Sequence, residues 1–296
     1  MTLNRRDFLK LSTVGGIVFS SGLTGMNALA GSGQQDTFYF VQLSDTHWGF
    51  NNTSFNADPQ GTLPKAIDQI NQLDPQPDFV VFTGDLTHTT DNENIRRKRM
   101  AEFHEIAARL KTKIIRFMPG EHDASLDSGK AYQEFFGDLN YTFDHKGIHF
   151  IALDNVSDPH ARLGDQQLAW MDADLKQLDK NAPIVVLAHR PLFKLAPDWG
   201  WATLDGEKAL ALLMPYKNVT VFYGHIHQEH NHKTGHILHH SAKSLIFPLP
   251  APGSVEKKHK IAWDVDHPYR GLGIRNIETS LPAAQFDLHD VTIKPV

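Results

Sequence analysis

Phe38-Tyr39-Phe40-Val41-Gln42-Leu43-Ser44-Asp45-Thr46-His47 is the stretch from which the fold is read. An apolar, aromatic and β-branched run ends abruptly in a polar turn that carries a carboxylate and an imidazole. The same sentence structure recurs along the chain. Phe79–Thr83 runs into Gly84-Asp85, and Ile114–Met118 runs into Pro119-Gly120-Glu121-His122-Asp123. Ile184–Ala188 runs into His189-Arg190-Pro191, and Val219–Tyr223 runs into Gly224-His225-Ile226-His227. A sixth run, His149–Leu153, ends at Asp154.

Between these runs lie helical periods. Leu63–Leu73, Met100–Leu110 and Asp165–Leu178 each carry an apolar stripe, the last with Asp165 placed as its N-cap. Alternation of short strands with amphipathic helices predicts an α/β sheet covered by helices. After Tyr223 the helical period stops, and Ile237–Leu249, Ile261–Val265, Leu272–Ile277 and Phe286–Ile293 read as strands. No polar linker divides the chain, so residues 37–296 read as one domain.

In open α/β sheets ligands bind beyond the carboxyl ends of the strands. Five such ends here would gather seven to nine Asp, Glu and His side chains in one place. Packing so many together is costly unless a cation compensates them, so a metal centre is expected. Composition narrows the metal. The 296 residues include 18 histidines and no cysteine, which excludes disulfides, thiolate sites, Fe–S clusters and a cysteine nucleophile. Nitrogen and oxygen donors without thiolate suit Mn, Fe or Zn. A net charge of −5 gives no basic footprint for duplex nucleic acid. Single motifs are weak, since Asp287-x-His289 and His230-x-His232 match by chance outside the strand-then-glycine setting. The ordered set is strong.

That set, from Phe38 to His227, resembles the calcineurin-like metallophosphoesterase family. Leu163-Gly164-Asp165-Gln166-Gln167-Leu168-Ala169-Trp170 and His189-Arg190-Pro191-Leu192 resemble its cyclic-nucleotide and glycerophosphodiesterase branch. The resemblance implies a four-layer αββα sandwich of two mixed β-sheets flanked by helices. It also implies two divalent or mixed-valence metal ions and hydrolysis of a small phosphate ester, most simply a diester, by a hydroxide between the metals. Carried over by position, Asp45, His47 and His227 would hold one metal, Glu121, His189 and His225 the other, with Asp85 bridging. His122 would supply a proton and Asp123 would orient it. Where the family has Asn, this chain has Glu121. A phosphomonoesterase and a non-catalytic metal-binding module on the same fold stay open as alternatives. Arg190 reads equally as a phosphate contact or a packing residue, and Asp154 as a site or turn residue. Trp199 and Trp201 read as pocket wall or packing, and His230, His232, His236, His239 and His240 mostly as surface residues.

The first thirty residues read as an address. Asn4-Arg5-Arg6-Asp7-Phe8-Leu9-Lys10 resembles a twin-arginine export motif, followed by a mildly apolar stretch and Ala28-Leu29-Ala30. The resemblance implies a signal peptide over residues 1–30, cleaved after Ala30, with the twin-arginine translocase as partner and a periplasmic or secreted location. An uncleaved anchor over Leu11–Ala30 is the alternative, disfavoured by its many Gly, Ser and Thr residues.

Overall fold

The computed structural model describes residues 37–280 and 285–294, so the proposed signal segment lies outside the described residues. Strands β1 (Phe38–Leu43) and β2 (Phe79–Thr83) form as read, and β3 is Ile115–Met118. β4 (Tyr141–His145) was not expected; it hairpins antiparallel onto β5 (Ile148–Ala152). β6 (Pro183–Leu187) and β7 (Asn218–Tyr223) fall within a residue of expectation. β8 (His230–Thr234) was also missed, and it pairs antiparallel with β9 (Ile237–Ser241). β10 is Gly273–Ser280 and β11 is Gln285–Thr292.

Two mixed sheets result, in the orders β11-β10-β1-β2-β3 and β4-β5-β6-β7-β9-β8. Alternation of side chains along each strand makes the layers. In β1 and β2, Phe38, Phe40, Phe79 and Val81 point between the sheets, where they meet Phe150, Val185, Leu187 and Phe222. The alternate residues Val41, Leu43, Val80 and Phe82 face outward onto helices α1 (Thr62–Asn71) and α2 (Glu93–Ala107). Ile184, Val186 and Val221 face the opposite way, onto α5 (Gly164–Leu175) and α6 (Gly206–Leu213). Between these pairs in the chain come α3 (Glu121–Ala124) and α4 (Lys130–Phe136). The architecture is therefore helix, sheet, sheet, helix. Strands buried on both faces explain the continuous apolar runs in the sequence. Each such side chain contributes roughly 1.5–3 kcal/mol by burial.

Four expectations need correction. α2 begins at Glu93, seven residues before the predicted start, because its first turns carry no buried apolar stripe: Arg96 is buried and Ile95 is exposed. Its N-cap is Asn92, whose side chain accepts from the Asn94 and Ile95 amides. Asp165 does not cap α5; the Asp205 carboxylate reaches across to the Leu163 and Gly164 amides instead. Ile237–Leu249 is strand only to Ser241, and Ile261–Val265 forms no strand. No helix among the described residues is long and apolar enough to cross a membrane.

One residue of β9 lends itself to a stability test. The His239 ring is buried beside Phe193 and His232, and neither ring nitrogen has a hydrogen-bond partner among the described residues. Burial, with His232 and His240 adding to it, pushes this histidine down to about 3. The unfolded chain then takes up the proton first, so the stability contribution is lost as pH falls from about 6.5 toward 3. His239→Leu is expected to raise unfolding stability at pH 7 by about 1–3 kcal/mol, since no polar group is left unsatisfied. It should also flatten the pH dependence below 6.5. Urea unfolding of both proteins at pH 7 and pH 5 measures both effects.

Candidate metal centre

β1, β2 and β3 run parallel in one sheet, and β6 and β7 run parallel in the other. Their carboxyl ends meet at one edge of the sandwich, and the loops leaving them are locked to each other. The Asp45 amide donates to Gly84 O at 3.0 Å, His47 N to Asp85 O at 2.9 Å, and Gly224 N to His189 O at 3.0 Å. Leu245 N reaches back to Ser44 O at 3.1 Å. The loops are tight enough that Asp45, His47, Asp85, His225 and His227 all take left-handed backbone, five of the nine such non-glycine residues among the described residues. Backbone of this kind costs energy and persists only where its surroundings over-determine it. Gly120 shows the crowding: a Cβ there would sit 2.0 Å from the Asp85 amide nitrogen.

The sequence-predicted ligand residues converge in two groups. Asp45, His47 and His227 bring ligand atoms within 4.8 Å of one another, and so do Asp85, Glu121, His189 and His225. Asp85 Oδ2 stands between the groups, 3.4 Å from His47 Nε2 and 3.5 Å from His189 Nε2. His227 Nε2 lies 3.3 Å from Asp45 Oδ1. The far nitrogens are fixed by backbone carbonyls, which only accept. His189 Nδ1 donates to Thr83 O at 2.7 Å, His227 Nδ1 to Phe247 O at 2.7 Å, and His225 Nε2 to Gly200 O at 3.0 Å. Each ring is thereby turned so that its other nitrogen faces the site.

These facing atoms fit a metal better than they fit each other. Glu121 Oε2 is 2.9 Å from His189 Nε2, and Glu121 Oε1 is 3.0 Å from His225 Nδ1. Yet Glu121 Oε2, His189 Nε2 and His225 Nδ1 are buried with no properly oriented hydrogen-bond partner. Burial that leaves three polar atoms aimed at one point without a bond is costly unless a cation takes the point. Electrostatics agree. Burial and the Glu121 carboxylate push Asp85 up, but His122, His189 and His47 outweigh them and hold it at about 2. Burial would lower His189, but Asp85 and Glu121 hold it well above the usual histidine range. His47 goes the other way, pushed well down by burial. The site is a buried cluster of carboxylates that recruits positive charge.

His122 sits over this cluster with Nε2 3.9 Å from Asp85 Oδ2. The Thr89 amide donates to its Nδ1 at 3.1 Å, which leaves any proton of the neutral ring on Nε2. Asp123 does not orient it. The buried Asp123 carboxylate instead accepts from the amides of Leu86 and Gly120, each at 2.9 Å, and of Thr87 at 2.8 Å, binding the β2 turn to α3. Asp154 likewise caps its own turn through the Val156 and Ser157 amides. Arg190 donates to Gly200 O and stands 3.6 Å from Glu121 Oε2. Trp201 is packing; the useful atom of that loop is the Gly200 carbonyl. The histidines of β8 and β9 lie outside the site.

An open pocket of about 200 Å³ lies beside the two groups. Sequence reading missed part of its lining: His88, Phe247, Leu249, Lys258, His259 and Lys260. His88 Nδ1 is 3.4 Å from His47 Nδ1, and its ring stacks on His122 at 5.1 Å. Its only sequence signal is closeness to Asp85. The others come from Phe247, at the end of an expected strand, and from the loop beyond.

Comparison with known proteins adds to this geometry. Residues 38–229 match the model of the family described as calcineurin-like phosphoesterase. A protein of Arcobacter nitrofigilis named probable glycerophosphodiester phosphodiesterase is 28% identical over 203 residues, 64% of this chain and 71% of that one. A mouse protein named serine/threonine-protein phosphatase is 26% identical over 217 residues, 64% of this chain and 70% of that one. Among solved structures, a dimetal phosphatase from Danio rerio superposes with a TM-score of 0.57 at 18% identity, over 87% of this chain and 99% of that one.

Proposed function

We propose, for a chain that belongs to the calcineurin-like phosphoesterase family and so is a metal-dependent phosphoester hydrolase, that its preferred substrates are phosphodiesters. The observation that carries the reading is the convergence of buried, unpaired ligand atoms beside an open pocket. In this reading Asp45, His47 and His227 hold one cation, Glu121, His189 and His225 the other, and Asp85 touches both. Bound there, two cations would polarise a phosphoryl oxygen and activate water for attack. The chain's own residues do the rest. The carbonyls of Thr83, Phe247 and Gly200 hold the imidazoles in register. His122 presents its Nε2 proton to the departing alkoxide, held by the Thr89 amide behind it. A diester suits the pocket, since Arg190 behind Glu121 is tied to Gly200 O and, among the described residues, no arginine lines the pocket to clamp a dianion.

The test is turnover of bis(p-nitrophenyl) phosphate against p-nitrophenyl phosphate, after chelation and reloading with Mn, Fe, Zn or Co. A monoester rate above the diester rate with both metals bound overturns the diester preference. Monoester hydrolysis is the second reading, favoured by Lys258 and Lys260 at the pocket rim.

Glu121 is the place to probe the second cation. It gives one oxygen to His189 and the other to His225, with about a fifth of its side chain exposed. Glu121→Asn removes a charge and adds a donor. It is expected to weaken the second metal on the order of 10- to 100-fold and to lower KM for anionic esters. Metal titration and steady-state kinetics check both; unchanged values would show that Glu121 turns away from the metal.

We also propose export by the twin-arginine route to the periplasm, supported by Arg5-Arg6 and Ala28-Leu29-Ala30. Arg5→Lys with Arg6→Lys should trap active precursor in the cytoplasm. Undiminished periplasmic activity would refute the assignment.

A further inference from the structure

The pocket beside the metal groups has walls of opposite charge, and the ligand set accounts for only one of them. Asp85 and Glu121 form the floor, while Lys258, His259 and Lys260 stand on the loop between β9 and β10. Both lysine heads are held in place, and by aromatic and backbone contacts rather than by acids. Lys258 Nζ donates to Trp199 O at 2.6 Å and lies 5.9 Å from the centre of the Trp201 ring. Lys260 Nζ lies 5.3 Å from the Phe247 ring and 5.7 Å from the Phe55 ring. Neither ammonium has a carboxylate within 4.0 Å among the described residues, although Lys258 is close enough to feel Glu121 and Asp85 through the pocket. An ammonium offers three donors, so Lys258 keeps two beyond the one on Trp199 O. Two positioned cations with spare donors, facing a pocket that binds a phosphoryl group on its floor, are placed to meet a second anion on the same substrate.

We propose that Lys258 and Lys260 form an anion subsite, selecting phosphoesters whose alcohol carries a further negative charge. The inference rests on the phosphoester reading of the pocket floor. It narrows the substrate class to esters of acidic alcohols, such as those bearing a carboxylate or a second phosphate.

The experiment is a calorimetric titration of the metal-loaded protein with two non-hydrolysable probes, butylphosphonate and 4-phosphonobutanoate, which differ in one remote carboxylate. Wild-type protein is expected to bind 4-phosphonobutanoate about fivefold more tightly, the scale of exposed ion pairs. That preference should shrink when salt is raised from 0.05 to about 0.5 M. Lys258→Met with Lys260→Met keeps the apolar stems over the aromatic rings and should abolish the preference; Lys176→Met, at an exposed residue just past the end of α5 and paired with Asp172, should retain it. An equal preference in wild type and the double variant, or none in wild type, overturns the subsite, as does binding of neither probe. The salt titration needs no variant, so a folding defect in the double variant does not blunt the test. Failure of the phosphoester reading appears separately, as no turnover of bis(p-nitrophenyl) phosphate by the same preparation.

Discussion

Replacing Asp85 with Asn is expected to lower phosphoester turnover by on the order of 10³-fold, the scale seen when a single charge-stabilising group is lost from an active site. Metal content should fall below two ions per chain. The reasoning starts from position: one carboxylate oxygen stands 3.4 Å from His47 and 3.5 Å from His189, nearer to both ligand groups than Asp45, whose Oδ1 is 4.0 Å from His189. Asn keeps the shape but turns part of the acceptor into a donor and removes the charge. It is also the substitution the backbone tolerates, because Asp85 has φ of 50° and Asn adopts left-handed backbone readily. Circular dichroism should therefore be unchanged. Elemental analysis and steady-state rates decide the matter, and retention of both metals with a rate within tenfold of wild type would refute it.

Asp123→Ala is expected to damage the fold more than the chemistry. Its carboxylate is the acceptor for the Leu86, Thr87 and Gly120 amides and for the Thr87 hydroxyl at 2.9 Å, all buried or nearly so. Each buried donor left without a partner costs about 1–3 kcal/mol. A loss of roughly 3 kcal/mol or more follows, a large part of the about 5–15 kcal/mol that holds a typical domain together. For a chain of this size the melting temperature should drop by roughly 6–12 °C. Denaturant unfolding measures this directly. A loss under about 1 kcal/mol with a large fall in turnover would return Asp123 to the role of orienting His122.

These two residues also mark how far the sequence could be read. Asp85 was legible because strand, glycine and carboxylate follow one another in the chain, and strand ends gather where parallel strands point the same way. Phe38–Leu43 and Phe79–Thr83 were legible to the residue because burial on both faces leaves largely apolar runs, with Gln42 and Thr83 as their buried polar members. Asp123 was misread since adjacency in sequence suggested a partner for His122, whereas α3 turns the carboxylate back toward the β2 loop. β4 and β8 escaped notice because their exposed faces carry Asp144, Asn231 and Lys233, which dilute the strand pattern. Lys258 and Lys260 lie in irregular chain that returns to the site from more than 30 residues past His227, and no local pattern encodes such a return.

The two ligand groups divide between the sheets in a way that reaches beyond catalysis. Asp45, His47, Asp85 and Glu121 leave the sheet that contains β1, while His189, His225 and His227 leave the sheet that contains β6. Each group draws on both. A cation held by either group would therefore act as a rivet through the seam of the sandwich, and parting the sheets would mean giving up the ion. Thermodynamic linkage then converts metal affinity into cohesion of the whole fold: at a free metal concentration 100 times Kd, one site adds about 2.7 kcal/mol. With the ions so held, the firmness of the sandwich would become a function of the metal supply around the protein, and scarcity would loosen it along the seam first.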